Sequence, residues 1–202
     1  MGLAPRLLVF TDLSLAPEAV WRERVSRLAK LARPKALLVV LRDKERSARE
    51  RIELGAALGE MLRECGQYIG VAERMDLALL LRADALHLGE SSVETSEARR
   101  LVGPLFISRA CHDPLRISEG DADAIVLSPI LEARKRKPAL GTESLTLARA
   151  RLPEKMLFAL GGVRAENAAA CLRAGADGVA VIGAALHDDP GELVRALGIA
   201  RG

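Results

Sequence analysis

At 202 residues, half of them apolar but with only one Trp, one Tyr and three Phe, the chain has enough sequence for one large aliphatic core and too little for two domains. Its net charge of +3 is spread along the sequence, which argues against the basic, aromatic-laced face of a nucleic-acid binder. Three cysteines without paired spacing argue against a disulfide scaffold. No stretch has the form of a signal peptide or reaches membrane-spanning length. A single cytoplasmic domain over residues 1–202, with no nucleic-acid or membrane partner, is the expectation; self-association is left open.

Strand-like apolar runs fall at 6–11, 36–41, 67–72, 85–88, 105–109, 124–127, 155–160 and 178–182. Most are continuous rather than alternating, the pattern of parallel strands covered on both faces. Between the first two, Val25, Leu28, Ala29 and Ala32 form one helical stripe, with Pro17 near its start. After the second strand, Leu54, Ala57, Leu58 and Met61 repeat that spacing, and Gly66 closes the helix. Pro114 to Gly120 leaves room for only a turn or two of helix before the sixth strand. The seventh and eighth strands both end in small residues, Gly161-Gly162 and Gly183-Ala184, with a helix between them. Backbone without side chains can approach an anion closely, and the loops after the last two strands are the usual phosphate site of a (β/α)₈ barrel. Eight such units in one chain predict an α/β fold, a compact TIM barrel.

In such a barrel, chemistry sits at the C-terminal ends of the strands. There the sequence places Thr11-Asp12, Arg42-Asp43-Lys44, Glu73-Arg74, Glu90-Ser91-Ser92, Cys111-His112-Asp113 and Ser128-Pro129. His87 reads as a satisfied core histidine, His187 as a surface residue, and Asp177 as an anchor for the turn before the eighth strand. Cys111 and His112 are adjacent, so their side chains diverge and a Cys–His nucleophile pair is not expected. Arg42 and Lys44 have a competing structural use, as ion-pair partners of Asp43 or Glu73. The basic run Arg134, Lys135, Arg136, Lys137 reads either as a solvated surface or as a cationic flap over an anionic ligand.

The ordered set Leu41-Arg42-Asp43-Lys44, Asp84 to Gly89, Leu127 to Ile130, Ala159 to Val163 and Ala174 to Val181 resembles the family of thiamine-phosphate synthase and its paralogue, the thiazole tautomerase. That resemblance implies a phosphorylated thiazole as ligand, its phosphate on Gly161, Gly162, Gly183 and Ala184. It also implies substrate contacts from Arg42, Lys44, Glu73, Arg74, Glu90, Ser128, Lys135 and Arg136. The synthase joins thiazole phosphate to an aminopyrimidine diphosphate with magnesium held by acidic residues after strands three and four. The tautomerase shifts protons on a carboxylated thiazole phosphate with a histidine after strand five.

The departures separate the two. Where the synthase pattern has Asn-Asp, this chain has Ala72-Glu73; where it has an acid after strand four, this chain has Ser92. A glutamine of the second strand is Val40, and threonines of the sixth loop are Ala133 and Lys135. A hydroxyl is a poor replacement for a carboxylate toward a hard dication. The expectation is therefore a tautomerase-type isomerase with His112 as acid/base and no metal, an imidazole being suited to taking and returning a proton. The alternatives are the synthase, with Mg²⁺ on Glu73 and Glu90, and a non-catalytic relative that binds a phosphorylated ligand.

Overall fold

A computed structural model describes residues 3–117, 120–134 and 137–201. Eight parallel strands close into a barrel in chain order: β1 (Leu7–Phe10), β2 (Leu37–Leu41), β3 (Tyr68–Ala72), β4 (Ala85–Leu88), β5 (Phe106–Cys111), β6 (Ala124–Leu127), β7 (Met156–Leu160) and β8 (Gly178–Val181). Closure is made by β1 pairing with β8, Leu7 opposite Val179 and Val9 opposite Val181. The helices wrap the outside: α1 (Glu18–Leu31), α2 (Ala48–Glu64), α3 (Met75–Leu80), α4 (Thr95–Val102), α5 (Glu143–Arg151), α6 (Ala165–Arg173), α7 (Gly183–His187) and α8 (Pro190–Ala196). The predicted (β/α)₈ barrel is the fold. Among the described residues no helix is long and apolar enough to cross a membrane.

The strands are buried almost without interruption because both of their faces are covered, one by the helices and one by the barrel interior. α1 buries Trp21, Val25, Leu28 and Ala29, close to the stripe read from its sequence. α2 differs. Its buried face is Leu54, Leu58 and Leu62 with Gly55 and Gly59, while Ala57 and Met61 are only half-buried. A Cβ on Gly55 would stand 2.5 Å from Leu81 Cδ1 at the end of α3 and 3.2 Å from Leu41 of β2, so this glycine lets α2 pack closely against both, and the buried stripe turns toward it. Between β5 and β6 the described residues hold no helix; the chain makes a turn in which Arg116 N–H donates to the Asp113 carbonyl at 3.0 Å.

Three aspartates bind the opposite, N-terminal face. Asp84, Asp123 and Asp177 each stand one residue before a strand and accept the backbone N–H of the preceding strand: Ile69 at 2.9 Å, Ile107 at 2.7 Å and Leu157 at 2.7 Å. Asp177 is thus the anchor its position suggested, and Arg149 pairs with it. Gln67 does equivalent work lower in the barrel wall, donating to the carbonyls of Ala29, Ala32 and Arg33 while accepting from Leu37 N–H at 3.0 Å.

Candidate active site

The mouth is assembled by loops that carboxylates hold in place. Asp43 accepts from the Thr11 hydroxyl at 2.5 Å and from Leu13 N–H at 2.6 Å, tying the β2 loop to the β1 loop. Arg42, beside it, pairs with Asp12 at 2.6 Å rather than with Asp43 or Glu73. Lys44 reaches Glu73 at 4.0 Å. Glu73 itself adopts a left-handed backbone (φ 67°), which turns its carboxylate across to the β4 loop. There it accepts from Gly89 N–H at 2.7 Å and from the Ser92 hydroxyl. Arg74 takes no part: its guanidinium lies on exposed Asp76, two residues on, and it lines no cavity of the mouth. The turn that brings Glu73 inward carries Arg74 outward, so the structure does not bring Arg74 together with the other expected substrate contacts.

His112 projects from the end of β5 against Glu90 of the β4 loop. Its ring Nδ1 lies 2.9 Å from Glu90 Oε2, its backbone N–H donates to Oε1 at 2.9 Å, and Lys137 Nζ is 3.6 Å from the same carboxylate. Burial pushes the Glu90 carboxyl up, but the two His112 hydrogen bonds and the nearby charges of His112 and Lys137 together outweigh it, and the net shift is downward. Arg109, read from sequence only as the last residue of a strand, holds the whole β4 loop. It donates to the carbonyls of Glu90, Ser92 and Val93 and to the Thr95 hydroxyl, at 2.8–3.2 Å. Nothing in the sequence distinguishes it from the other arginines, because its role depends on a strand end meeting a loop sixteen residues earlier. Cys111 turns away, its Sγ against the Asp113 carbonyl, and burial pushes its thiol up, so it is no nucleophile.

Three connected cavities occupy the mouth. The first, about 330 Å³, is lined by Gly161, Gly162, Gly183 and Ala184, with Arg134, Arg164 and His187 at its edge; His187 is exposed, as expected. Gly161 and Gly162 have φ of 103° and 70°. A Cβ on Gly161 would come 2.9 Å from Pro129 Cα, and one on Gly162 2.9 Å from Glu132 N. Asn167 fixes this loop, donating to the Gly162 carbonyl at 2.9 Å and accepting from Arg164 N–H at 2.8 Å. The second cavity, about 230 Å³, lies over the barrel axis and shares Leu160, Gly161, Ile182 and Arg134 with the first. Arg42, Lys44, Glu73, His112, Ser128 and Lys137 line it. Its floor includes His87, which meets Phe10 edge-on across the barrel at 4.7 Å and Ser108 Oγ at 3.0 Å. Burial, then the charges of Arg42 and Lys44, hold the His87 imidazole down to about 3. It is the satisfied core histidine expected. Glu90 lines a third cavity, of about 560 Å³, which shares Ala110, His112, Pro129 and Lys137 with the second. Lys135 and Arg136 lie outside the described residues.

The synthase resemblance implies magnesium on Glu73 and Glu90. Both Glu73 oxygens already accept from Gly89 and Ser92, and both Glu90 oxygens from His112. Among the described residues no three His, Cys, Asp or Glu side chains gather to hold a cation. The Glu73 and Glu90 pair does not fit a magnesium site.

Fold and mouth together define a (β/α)₈-barrel protein with connected, partly cationic cavities on its loop face. The family model described as thiamine monophosphate synthase matches residues 13–185. The thiamine-phosphate synthase of Moorella thermoacetica is 38% identical over 160 residues, 75% of each chain, and that of a Roseiflexus species is 34% identical over 197 residues, 94% of this chain and 82% of the relative. The structure of thiamine phosphate pyrophosphorylase from Pyrococcus furiosus superposes with a TM-score of 0.84 at 26% identity, covering 99% of this chain and 98% of that one. The chain belongs to the thiamine monophosphate synthase family, enzymes of thiamine biosynthesis. The similarity to synthases supports the transferase alternative and leaves the isomerase expectation without backing from the relatives.

Proposed function

We propose that this protein is a thiamine-phosphate synthase, joining a thiazole phosphate to an aminopyrimidine diphosphate with release of pyrophosphate. The observation that carries the reading is a pair of the connected cavities. One is floored by the glycine ends of β7 and β8, suited to a monophosphate; the other is ringed by Arg42, Lys44, Arg134 and Lys137, suited to a diphosphate. Sharing Gly161 and Arg134, they would bring two anionic substrates within reach of one another. In this reaction the thiazole ring nitrogen forms a bond to the pyrimidine methylene carbon. The carbon–oxygen bond to the diphosphate breaks, and its electron pair leaves with the diphosphate. The protein's part is to orient the two rings and stabilise the charge gathering on the leaving group, which the four cations do through Arg forks and Lys point charges. No step is assigned to a metal.

The test is thiamine phosphate formation by the purified protein from the two separate precursors, at saturating magnesium and without it. Product is the expected outcome; its absence in both conditions overturns the reading. A second reading, proton transfer on a thiazole phosphate, is favoured by one observation: Glu90 engages Nδ1 of His112, and the ring lines the central cavity. It predicts isomerisation of a carboxylated thiazole phosphate that His112→Asn abolishes while binding persists. An unaltered rate in that variant removes it.

A further inference from the structure

Among the described residues three buried guanidinium nitrogens lack a hydrogen-bond partner, Nε of Arg6, Arg42 and Arg51, and of these Arg51 alone lines a cavity outside the mouth. Arg51 lies on the first turn of α2, three residues before Leu54 and on the same buried face, and is only 7% exposed. Its Nε is buried with no hydrogen-bond partner. The side chain lines a cavity of about 170 Å³ between the start of α1 and the start of α2, whose walls include Glu18, Arg22, Arg46, Glu50 and Glu53. Each of these carboxylates is engaged by another group: Glu18 by Arg22, Glu50 by Arg46 and Ser47, Glu53 by Arg49. The cavity shares no lining residue with the three connected cavities of the mouth, although a groove along the β1 and β2 loops shares Leu13 and Arg46 with it and Arg42 and Lys44 with the central one.

Buried charges in proteins are paired, and a buried Lys or His without a partner can shed its proton. A guanidinium cannot, because it stays charged at any pH the protein meets. Three carboxylates line the same cavity, yet none is paired with Arg51, and its Nε is left as a donor with no acceptor. We propose that Arg51 is the floor of a second anion site, separate from the mouth, which takes one small oxyanion of the phosphate or carboxylate class against its planar fork, with Arg22 and Arg46 at the rim. The site's volume suits a single such group and excludes a nucleotide.

The experiment follows the Arg51 side chain directly. In the full-length protein, ¹⁵Nε–H spectra are recorded during titration with inorganic phosphate, acetate and chloride, and the Arg51 resonance is assigned by its loss in Arg51→Met. Thermal unfolding of both proteins is measured in the same buffers. The proposal expects a saturable shift of the Arg51 signal with phosphate or acetate but not with chloride. It expects phosphate at about 100 times its Kd to raise the wild-type midpoint by about 5 °C more than that of Arg51→Met. A larger response to acetate assigns the site to carboxylates, and a larger response to phosphate assigns it to phosphates. Equal thermal shifts in the two proteins with a still Arg51 signal mean that the anion acts only at the mouth, and overturn the proposal. Arg51→Lys, which keeps the charge but loses the fork, serves if Arg51→Met does not fold: a thermal response smaller than wild type supports the site, and a response equal to wild type counts against it.

Discussion

The Glu73 carboxylate closes on the Ser92 hydroxyl, with the Gly89 amide beneath it at 2.7 Å, so that the β3 and β4 loops are joined by one acid and one alcohol. The arrangement explains Gly89, where a Cβ would lie 2.6 Å from Glu73 Oε1. It also explains why a left-handed backbone is tolerated at a glutamate, since the carboxylate's two contacts offset the strain. Replacing Ser92 with Asp would set two carboxylates against each other. Without magnesium, Ser92→Asp is expected to lose about 1–3 kcal/mol of stability. With magnesium it should regain that loss and bind the cation at least tenfold more tightly than wild type. Calorimetric titration and urea unfolding in the same buffers check both; an affinity no better than wild type would show that these loops cannot close around a cation.

The barrel was legible in the sequence because its parallel strands are continuous apolar runs, each paired with a helix or a turn, and eight such runs have few ways to pack. The glycine end of β7 has a matching structural reason: Pro129 and Glu132 press on Gly161 and Gly162, so nothing larger fits there, whereas a Cβ on Gly183 after β8 would meet only His187 at 3.8 Å. What sequence could not supply was pairing across loops. Arg42 chose Asp12, thirty residues earlier, over its neighbour Asp43, which was already engaged by Thr11 and Leu13. Arg74 followed Asp76 out of the mouth. The departures at Glu73 and Ser92 pointed away from the synthase, yet the relatives that this chain resembles carry that name. With Val40 and the Ala133 and Lys135 loop, the departures fall at four places in one half-site, while the similarity is spread along the whole barrel.

The glycine floor makes a steric prediction. Gly162→Ala must place a Cβ within 2.9 Å of Glu132 N at a φ of 70°, so either the β6 loop moves or the β7 loop does. Because that loop borders two of the cavities, affinity for a phosphorylated thiazole is expected to fall at least tenfold, with about 1–3 kcal/mol lost in stability. Binding measured by calorimetry on folded Gly162→Ala decides it; wild-type affinity would mean the phosphate does not rest on this loop.

The three aspartates at the N-terminal face should matter for stability and not for chemistry. Asp84→Ala leaves the Ile69 N–H without its side-chain acceptor inside the barrel wall, which costs about 1–3 kcal/mol. Since Asp84 stands at the opposite end of its strand from the mouth, ligand affinity should be unchanged in the folded fraction. Urea unfolding together with ligand titration separates the two effects, and a weakened affinity at full folding would contradict the division of the barrel into a stabilising face and a binding face.

His87 gives the fold an acid-side weakness with a definite sign. Burial first, then Arg42 and Lys44, hold its imidazole down to about 3, whereas in the unfolded chain it titrates at about 6.5. Between those values the unfolded chain binds a proton that the native chain does not, so stability is full above about 6.5, falls as the pH drops and levels off below about 3. One such group contributes a slope of about 1.4 kcal/mol per pH unit in that window. Replacement by Gln removes the titration while leaving a polar group to face Ser108. From pH 7 to pH 5, wild type is therefore expected to lose about 2 kcal/mol more than His87→Gln, because every other titrating group is common to both. Urea midpoints at the two pH values give the comparison directly. Parallel losses would mean that His87 accepts its proton inside the folded barrel, and that the charges of Arg42 and Lys44 do not reach it.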